Sequence, residues 1–514
     1  MPASAPAIDC DLLVVGGGIN GAGIARDAAG RGMSVLLCDK DDLAAHTSSA
    51  STKLIHGGLR YLEHYEFGLV RKALTEREVL LRAAPHIMRP LRFILPHDQG
   101  QRPAWLIRTG LFLYDHLARR ALLPGSQAVD LRQHVAGTVL KASFTRGFAY
   151  SDVWVDDARL VVLNAIDAAE RGATILTRTR CESVVRQDGH WLTSLRGSDG
   201  TNGAIRSVTA RCLVNATGPW AAQFLQTASH RPSAKAVRLV KGSHIVVKRL
   251  FAHPDAYIFQ HPDGRIIFAI PYEQDFTLIG TTDIEYRGDA DRVGIEQDEV
   301  AYLCALSNRY FQQEITPADV VWSYSGVRPL LQDASSDASA VTRDYRLEFD
   351  TAGAPLLSVF GGKITTFRKL AEEAVDLIAA KLSNRHGAWT ATACLPGGDV
   401  FGSQPSDRSV LEFDHFITGL QRQYAWLPPA LVARYARAYG TRIHVLLDGR
   451  HAIADMGQEI AGGLFAAEVA YWMRHEWAHN ATDMLWRRSK LGLHLPPGSD
   501  AVLDAWIATA NAAA

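Results

Sequence analysis

The chain is 514 residues long, too long for one simple hydrophobic core, so two or more domains are expected. Its 54 Lys plus Arg balance 54 Asp plus Glu, which removes any global electrostatic case for a nucleic-acid partner, and 47% hydrophobic with 21% charged residues excludes a disordered chain. No run approaches the roughly 18 apolar residues of a bilayer span, the first ten residues lack a secretory pattern, and six scattered cysteines read as reduced, cytosolic thiols.

In chain order, residues 12–15 (Leu-Leu-Val-Val) predict a buried strand, and Gly16, Gly18 and Gly21 lead from it into a helix with Ala22, Ala25 and Ala28 on its packing face. The first glycine permits a sharp turn, the second lets backbone approach a pyrophosphate, and the third allows close helix packing, while the helix N-terminus offers N–H groups to phosphate. Asp39 closes the next apolar run, 35–38, at about the 20-residue spacing expected for a carboxylate that bonds ribose hydroxyls and repels a 2′-phosphate. This frame is a dinucleotide fingerprint. Beyond it the chain does not continue as regular βαβ units: a small polar run, 46–52, leads into Lys53-Leu54-Ile55-His56-Gly57-Gly58, whose backbone suits close approach to a flat ring.

Residues 103–114, followed by Arg119-Arg120, predict a helix that lies either at a bilayer interface or buried against a sheet. Residues 172–176 and the strand near Cys181 are placed beside adenine. A strand ending in Ala216-Thr217-Gly218-Pro219-Trp220 follows, and between 237 and 286 four short strands separated by Gly, Pro and charged turns predict an antiparallel sheet. Strand 321–324 precedes Arg328, and Val341-Thr342 precedes Arg343. Strand 356–360 runs into Gly361-Gly362-Lys363 and then a helix with apolar residues at helical period from Ile364 to Ile378. Pro396-Gly397-Gly398 marks a composition break, after which helices rich in Trp and Arg are expected. Within them His475-Glu476-Trp477-Ala478-His479 matches the zinc-hydrolase pattern H-E-x-x-H; no third ligand is evident, its aromatic neighbours read as core, and no metal site is expected.

Residues 15–32, 51–63 and Gly361-Gly362-Lys363 with Arg368 resemble the FAD-dependent respiratory glycerol-3-phosphate dehydrogenases. The resemblance continues through 150–160, 241–244, 280–283, 324–329, 342–345, 395–398 and 485–488, nearly the whole chain. Two positions depart from the family pattern: Asp39 stands where Glu is usual and Phe367 where Tyr is usual.

The resemblance implies an α/β fold, with a Rossmann-like FAD-binding domain of the glutathione-reductase/D-amino-acid-oxidase type, an antiparallel substrate-binding sheet and a C-terminal all-α domain. Its boundaries are an oxidoreductase region over 1–394 and a helical domain over 395–514. The FAD-binding parts lie at about 9–62, 148–225 and 322–390, and the substrate parts at about 63–147 and 226–321. FAD would be held by Gly16, Gly18, Gly21, Asp39, Thr47, Ser48, Ser49, Lys53, Ile55, His56, Cys181, Ala216, Gly218, Trp220, Gly326, Gly362, Lys363, Ile364 and Thr365. The implied reaction is oxidation of sn-glycerol 3-phosphate to dihydroxyacetone phosphate by hydride transfer to flavin N5. Arg328, Arg343, Arg60, Tyr61 and Thr282 would bind substrate, His244 or secondly His56 would take the proton, and Arg60 and Lys363 would stabilise charge. Electrons would pass to membrane quinone from a protein held peripherally on the cytoplasmic face of the inner membrane, with a homodimer allowed. Two alternatives stay open: an oxidase that uses oxygen, and a non-catalytic flavin-binding sensor.

Overall fold

The computed structural model describes residues 8–98, 102–198, 205–229, 237–261, 265–331 and 344–513; Arg343 lies outside them, and of Arg60 only the backbone is described. The strand that leads into the glycine turn, Cys10–Val15, lies between Ile205–Asn215 and Val35–Cys38, parallel to both. Leu356–Phe360 and Thr174–Leu176 extend the parallel sheet on either side, and Arg346–Asp350 closes one edge antiparallel. The hairpin of Thr179–Gln187 and His190–Gly197 joins it through the start of Ile205–Asn215.

The apolar run of the first strand is continuous because both of its faces are covered. Leu12 and Val14 pack with Val35, Leu37 and residues of three helices, Ile19–Gly30, Asp157–Glu170 and Phe367–Leu382. Leu13 and Val15, pointing the other way by the two-residue period of a strand, pack with Trp191, Leu213 and Phe224. The helices approach closely: a Cβ on Gly23 would lie 2.9 Å from the Phe367 ring, and Phe367 is buried there. The departure at Phe367 is therefore a core contact.

The second sheet has ten strands among the described residues. Its heart is Val237–Lys248, Phe276–Gly280, Ile266–Tyr272 and Ala256–Gln260, antiparallel as the turn spacing predicts. It also takes in Met88–His97, parallel to Ala256–Gln260, and the short Leu54–Ile55. Two strands grouped with the nucleotide parts in the sequence run here instead. Arg146–Val155, buried from Gly147 onward, pairs along Met88–His97; Val320–Leu331 pairs along Val237–Lys248, with Gly326 opposite Gly242. Apolarity alone does not tell which of two covered sheets a strand joins.

The helix of 103–114 is Ala104–His116: Leu111 and Tyr114 are buried, whereas Trp105, Leu106, Phe112 and Leu113 are exposed. After the break at Gly397-Gly398, helices including Phe413–Gln423, Pro429–Tyr439 and Ala466–Glu476 enclose a separate core around Trp472 and Tyr439, with one small strand pair, Glu459–Ala461 and Leu464–Phe465. The H-E-x-x-H stretch does not form one helix face. The helix ends at Glu476, Trp477 takes a left-handed conformation (φ 53°), and His479 lies beyond it. Glu476 is buried against Arg159.

Candidate active site

The turn after Cys10–Val15 is built for backbone contact. Gly16 has φ +114°, and a Cβ there would stand 2.4 Å from the Ala216 carbonyl oxygen; a Cβ on Gly21 would stand 1.9 Å from that of Gly16. Asp39 Oδ2 accepts from the Gly17 N–H at 2.5 Å and Oδ1 from the Asp41 N–H at 2.8 Å, which fixes the carboxylate at the end of its strand. Burial raises its pKa, and the two N–H bonds oppose that. Ser48 Oγ accepts from Ile19 N–H at the helix start, and Gly18 as cap residue brings no side chain of its own.

A cavity of about 710 Å³ opens at this turn, within the size range of small-molecule sites. Of the expected cofactor residues, Gly16, Gly18, Asp39, Thr47, Ser48, Cys181, Ala216, Gly218, Trp220 and Gly362 line it. A second cavity of about 300 Å³ shares Ile19, Thr47, Ser48, Pro329, Gly361 and Gly362 with the first, and His56, Tyr61, Gly326, Arg328, Lys363, Ile364 and Thr365 line it. Segments separated by some 300 residues thus meet on one continuous space.

The second cavity gathers cations and rings. Arg328 projects from Val320–Leu331 and donates to Asp283 Oδ1 at 3.2 Å and Thr281 Oγ1 at 3.4 Å, which orients its guanidinium fork. The Lys363 ammonium stands 3.5 Å from the centroid of the Tyr61 ring. Lys363 precedes the turn Ile364–Thr366 and helix Phe367–Leu382, whose N-terminal partial positive charge faces the cavity with it. Beneath His56 the loop is braced: Thr365 Oγ1 accepts from the His56 N–H at 3.3 Å, and Gly57 N–H donates to Tyr114 OH at 2.8 Å. That hydroxyl donates to Asp152, itself paired with Arg77 at 2.6 Å. Arg60 lies on the adjoining turn Leu59–His64.

Several expected contact residues stand behind the walls instead. Lys53 is buried, its ammonium 2.8 Å from Asp157 and 2.5 Å from the Ser49 carbonyl oxygen, because the chain folds that long side chain inward under the polar loop. Ser49 and Ile55 support the same loop without lining either cavity, and Gly21 serves the helix turn. Thr282 Oγ1 accepts from Ser243 N–H and donates to Glu299, so Thr281 holds the cavity position given to it. His244 is 1% exposed and stacks on Tyr324 at 4.8 Å. Its Nε2 lies 3.0 Å from Thr52 Oγ1, and it is Thr52 that faces the cavity. Burial, reinforced by Lys53 and Arg328, holds the His244 pKa well below the ordinary value, so the ring is neutral.

Thr52, Thr281 and Asp283 are among the cavity residues that sequence reading missed. Each sat inside a quoted segment, but nothing in the spacing separated a wall hydroxyl from a buried one. Asn20 is a further case: its Nδ2 donates to the Gly361 carbonyl at 3.2 Å, while its buried Oδ1 is without a partner among the described residues, beside the shared rim of the two cavities.

Residues 11–368 match the model of the "FAD dependent oxidoreductase" family, and residues 388–512 that of the "C-terminal domain of alpha-glycerophosphate oxidase". The chain is 54% identical to a glycerol-3-phosphate dehydrogenase of Pseudomonas aeruginosa, over 97% of this chain and 94% of the relative. It is 50% identical to a D-erythritol 1-phosphate dehydrogenase of Brucella abortus, over 98% of each. Among solved structures, the glycerol-3-phosphate dehydrogenase from Bacillus halodurans complexed with FAD superposes with a TM-score of 0.75 at 28% identity, over 94% of this chain and 86% of that one. The residues present fit that cofactor: a side-chain-free turn for diphosphate, a fixed carboxylate for ribose, and a second cavity with Lys363 where a flavin edge would meet substrate. The chain belongs to the FAD-dependent oxidoreductase family, in the group that includes the glycerol-3-phosphate dehydrogenases.

Proposed function

We propose that this chain oxidises sn-glycerol 3-phosphate to dihydroxyacetone phosphate and delivers the two electrons to membrane quinone. The observation that carries the reading is the position of Arg328, Lys363 and Tyr61 on one cavity that opens into the glycine-lined one. When bound, the flavin of FAD supplies the two-electron acceptor for hydride from the substrate's secondary carbon. The chain's own residues do the rest. Arg328 presents a planar fork to two phosphate oxygens, with Arg343 as its proposed partner, and Asp283 keeps that fork aimed. Lys363, and Arg60 with it, place positive charge near the reacting oxygen and lower the cost of its deprotonation. The proton leaves through Thr52, which takes it from the substrate hydroxyl as it gives its own to neutral His244; His56 is the second candidate.

Membrane attachment is proposed at helix Ala104–His116, which exposes Trp105 and Phe112 (70% and 54%), carries Arg108 and is followed in sequence by Arg119 and Arg120, a combination of apolar rings and cations suited to a headgroup layer on the cytoplasmic face of the inner membrane. No helix of the described residues is long and apolar enough to cross a membrane.

Anaerobic titration of the purified flavoprotein tests the reaction. Glycerol 3-phosphate should bleach the flavin absorbance stoichiometrically, and a quinone analogue should restore it; no bleaching would overturn the reading. Faster bleaching by D-erythritol 1-phosphate would move the substrate to the longer polyol phosphate, and stoichiometric peroxide in air would move the acceptor to oxygen.

A further inference from the structure

The motif Leu485-Trp486-Arg487-Arg488 belongs to the C-terminal domain, far from the chemistry in sequence, yet it reaches the nucleotide cavity from outside. Arg488 Nη1 and Nη2 donate to Asp42 Oδ2 and Oδ1 at 2.6 and 2.7 Å, a bidentate pair in which both side chains are buried. Arg487 Nε donates to the same Asp42 at 2.6 Å, and its Nη2 to Asp483. Asp483, also buried, accepts in turn from Arg178 Nη2 at 2.8 and 2.9 Å.

Asp42 and Arg178 stand behind two adjoining stretches of the first cavity's wall. Asp42 anchors the loop from which Asp39, Lys40, Ala44, Ala45 and His46 line it; Arg178 precedes Thr179, Arg180, Cys181 and Glu182, which line it beside that loop. The walls are themselves tied, since Arg178 N–H donates to the Asp41 carbonyl at 2.8 Å and Thr179 N–H to that of Asp39 at 2.6 Å. Ala44 N–H reaches back to the Gly17 carbonyl at 3.2 Å. A single helical turn, Asp483–Arg488, therefore braces from behind the junction between the acidic strand end at Asp39 and the strand at Cys181.

We propose that Asp483–Arg488 is a cofactor-retention clamp: its Arg487, Arg488 and Asp483 are positioning residues that lock the two adjoining wall segments of the adenosine half of the FAD cavity into the shape that binds it. The proposal rests on FAD occupying the glycine-lined cavity. It gives the C-terminal domain a part in cofactor binding although none of its residues lines that cavity.

The test measures FAD binding to deflavinated protein by quenching of flavin fluorescence. Replacing fully buried Arg488 risks the fold, so the variants are Arg487→Gln and Arg178→Gln, which leave the Asp42–Arg488 pair intact. Each should raise the FAD Kd about tenfold or more, and Arg487→Lys should recover most of the loss. Arg434→Gln is the control: it breaks a comparable ion pair, 2.7 Å to Glu468, inside the C-terminal core and away from the cavity. It should lower the melting temperature without moving the FAD Kd. Wild-type Kd in both Arg487→Gln and Arg178→Gln, or an equal rise in Arg434→Gln, would overturn the clamp alone; wild-type apoprotein that takes up no FAD would overturn the cavity assignment with it.

Discussion

Thr52 lines the cavity and its Oγ1 lies 3.0 Å from Nε2 of the buried His244, so under the proposed function the hydroxyl would pass the substrate's proton to the ring behind it. Thr52→Val keeps the branched shape and removes the hydroxyl. It should slow anaerobic flavin reduction by about 10²-fold, the lower range for general base catalysis, with FAD still bound and substrate affinity nearly unchanged. Reduction at the wild-type rate would pass the proton to His56.

Helix Ala104–His116 carries the element-scale argument. Its buried side is fixed by Leu111 and by Tyr114, which braces Gly57 and Asp152 under the candidate site. Its outer side exposes Trp105, Leu106, Phe112 and Leu113 beside Arg108. Trp105→Gln with Phe112→Gln should reduce sedimentation with vesicles of anionic phospholipid severalfold while flavin reduction by glycerol 3-phosphate stays at the wild-type rate. Unchanged sedimentation would return this helix to a purely packing role. At the same scale, Arg146–Val155 and Val320–Leu331 pair within the second sheet, and pairing partners are a property of register rather than of composition.

At the scale of the whole molecule, ion pairs join the C-terminal helices to the oxidoreductase region: Arg159 with Glu476, Arg488 with Asp42, and Arg178 with Asp483. His86 lies at the same junction, its Nε2 within 3.1 Å of where a Cβ on Gly397 would stand, with neither ring nitrogen hydrogen-bonded among the described residues. Burial, with Arg159 and Arg437 nearby, lowers its pKa to about 3. The unfolded chain binds this proton below about pH 6.5 and the folded chain does not, so stability falls as pH drops through that window, by about 1.4 kcal/mol per unit from this group. His86→Leu should flatten that part of the acid limb in urea unfolding between pH 6.5 and pH 4.5. An unaltered slope would mean that the junction opens to admit the proton.

The sequence alone determined the parts whose signal is local. A glycine turn between strand and helix, an acidic strand end and a Gly-Gly-Lys helix start each depend on backbone freedom or charge within a few residues, and Gly16, Asp39 and Gly362 all line the first cavity. Only the tertiary structure decided which polar side chain of a segment faces the cavity and which lies behind it: Thr52 before His244, Thr281 before Thr282, Lys53 turned inward to Asp157. It also decided that Arg487 and Arg488 meet Asp42, some 445 residues away. Such choices follow from strand register and from the ion pair that burial requires, and both are set by partners distant along the chain.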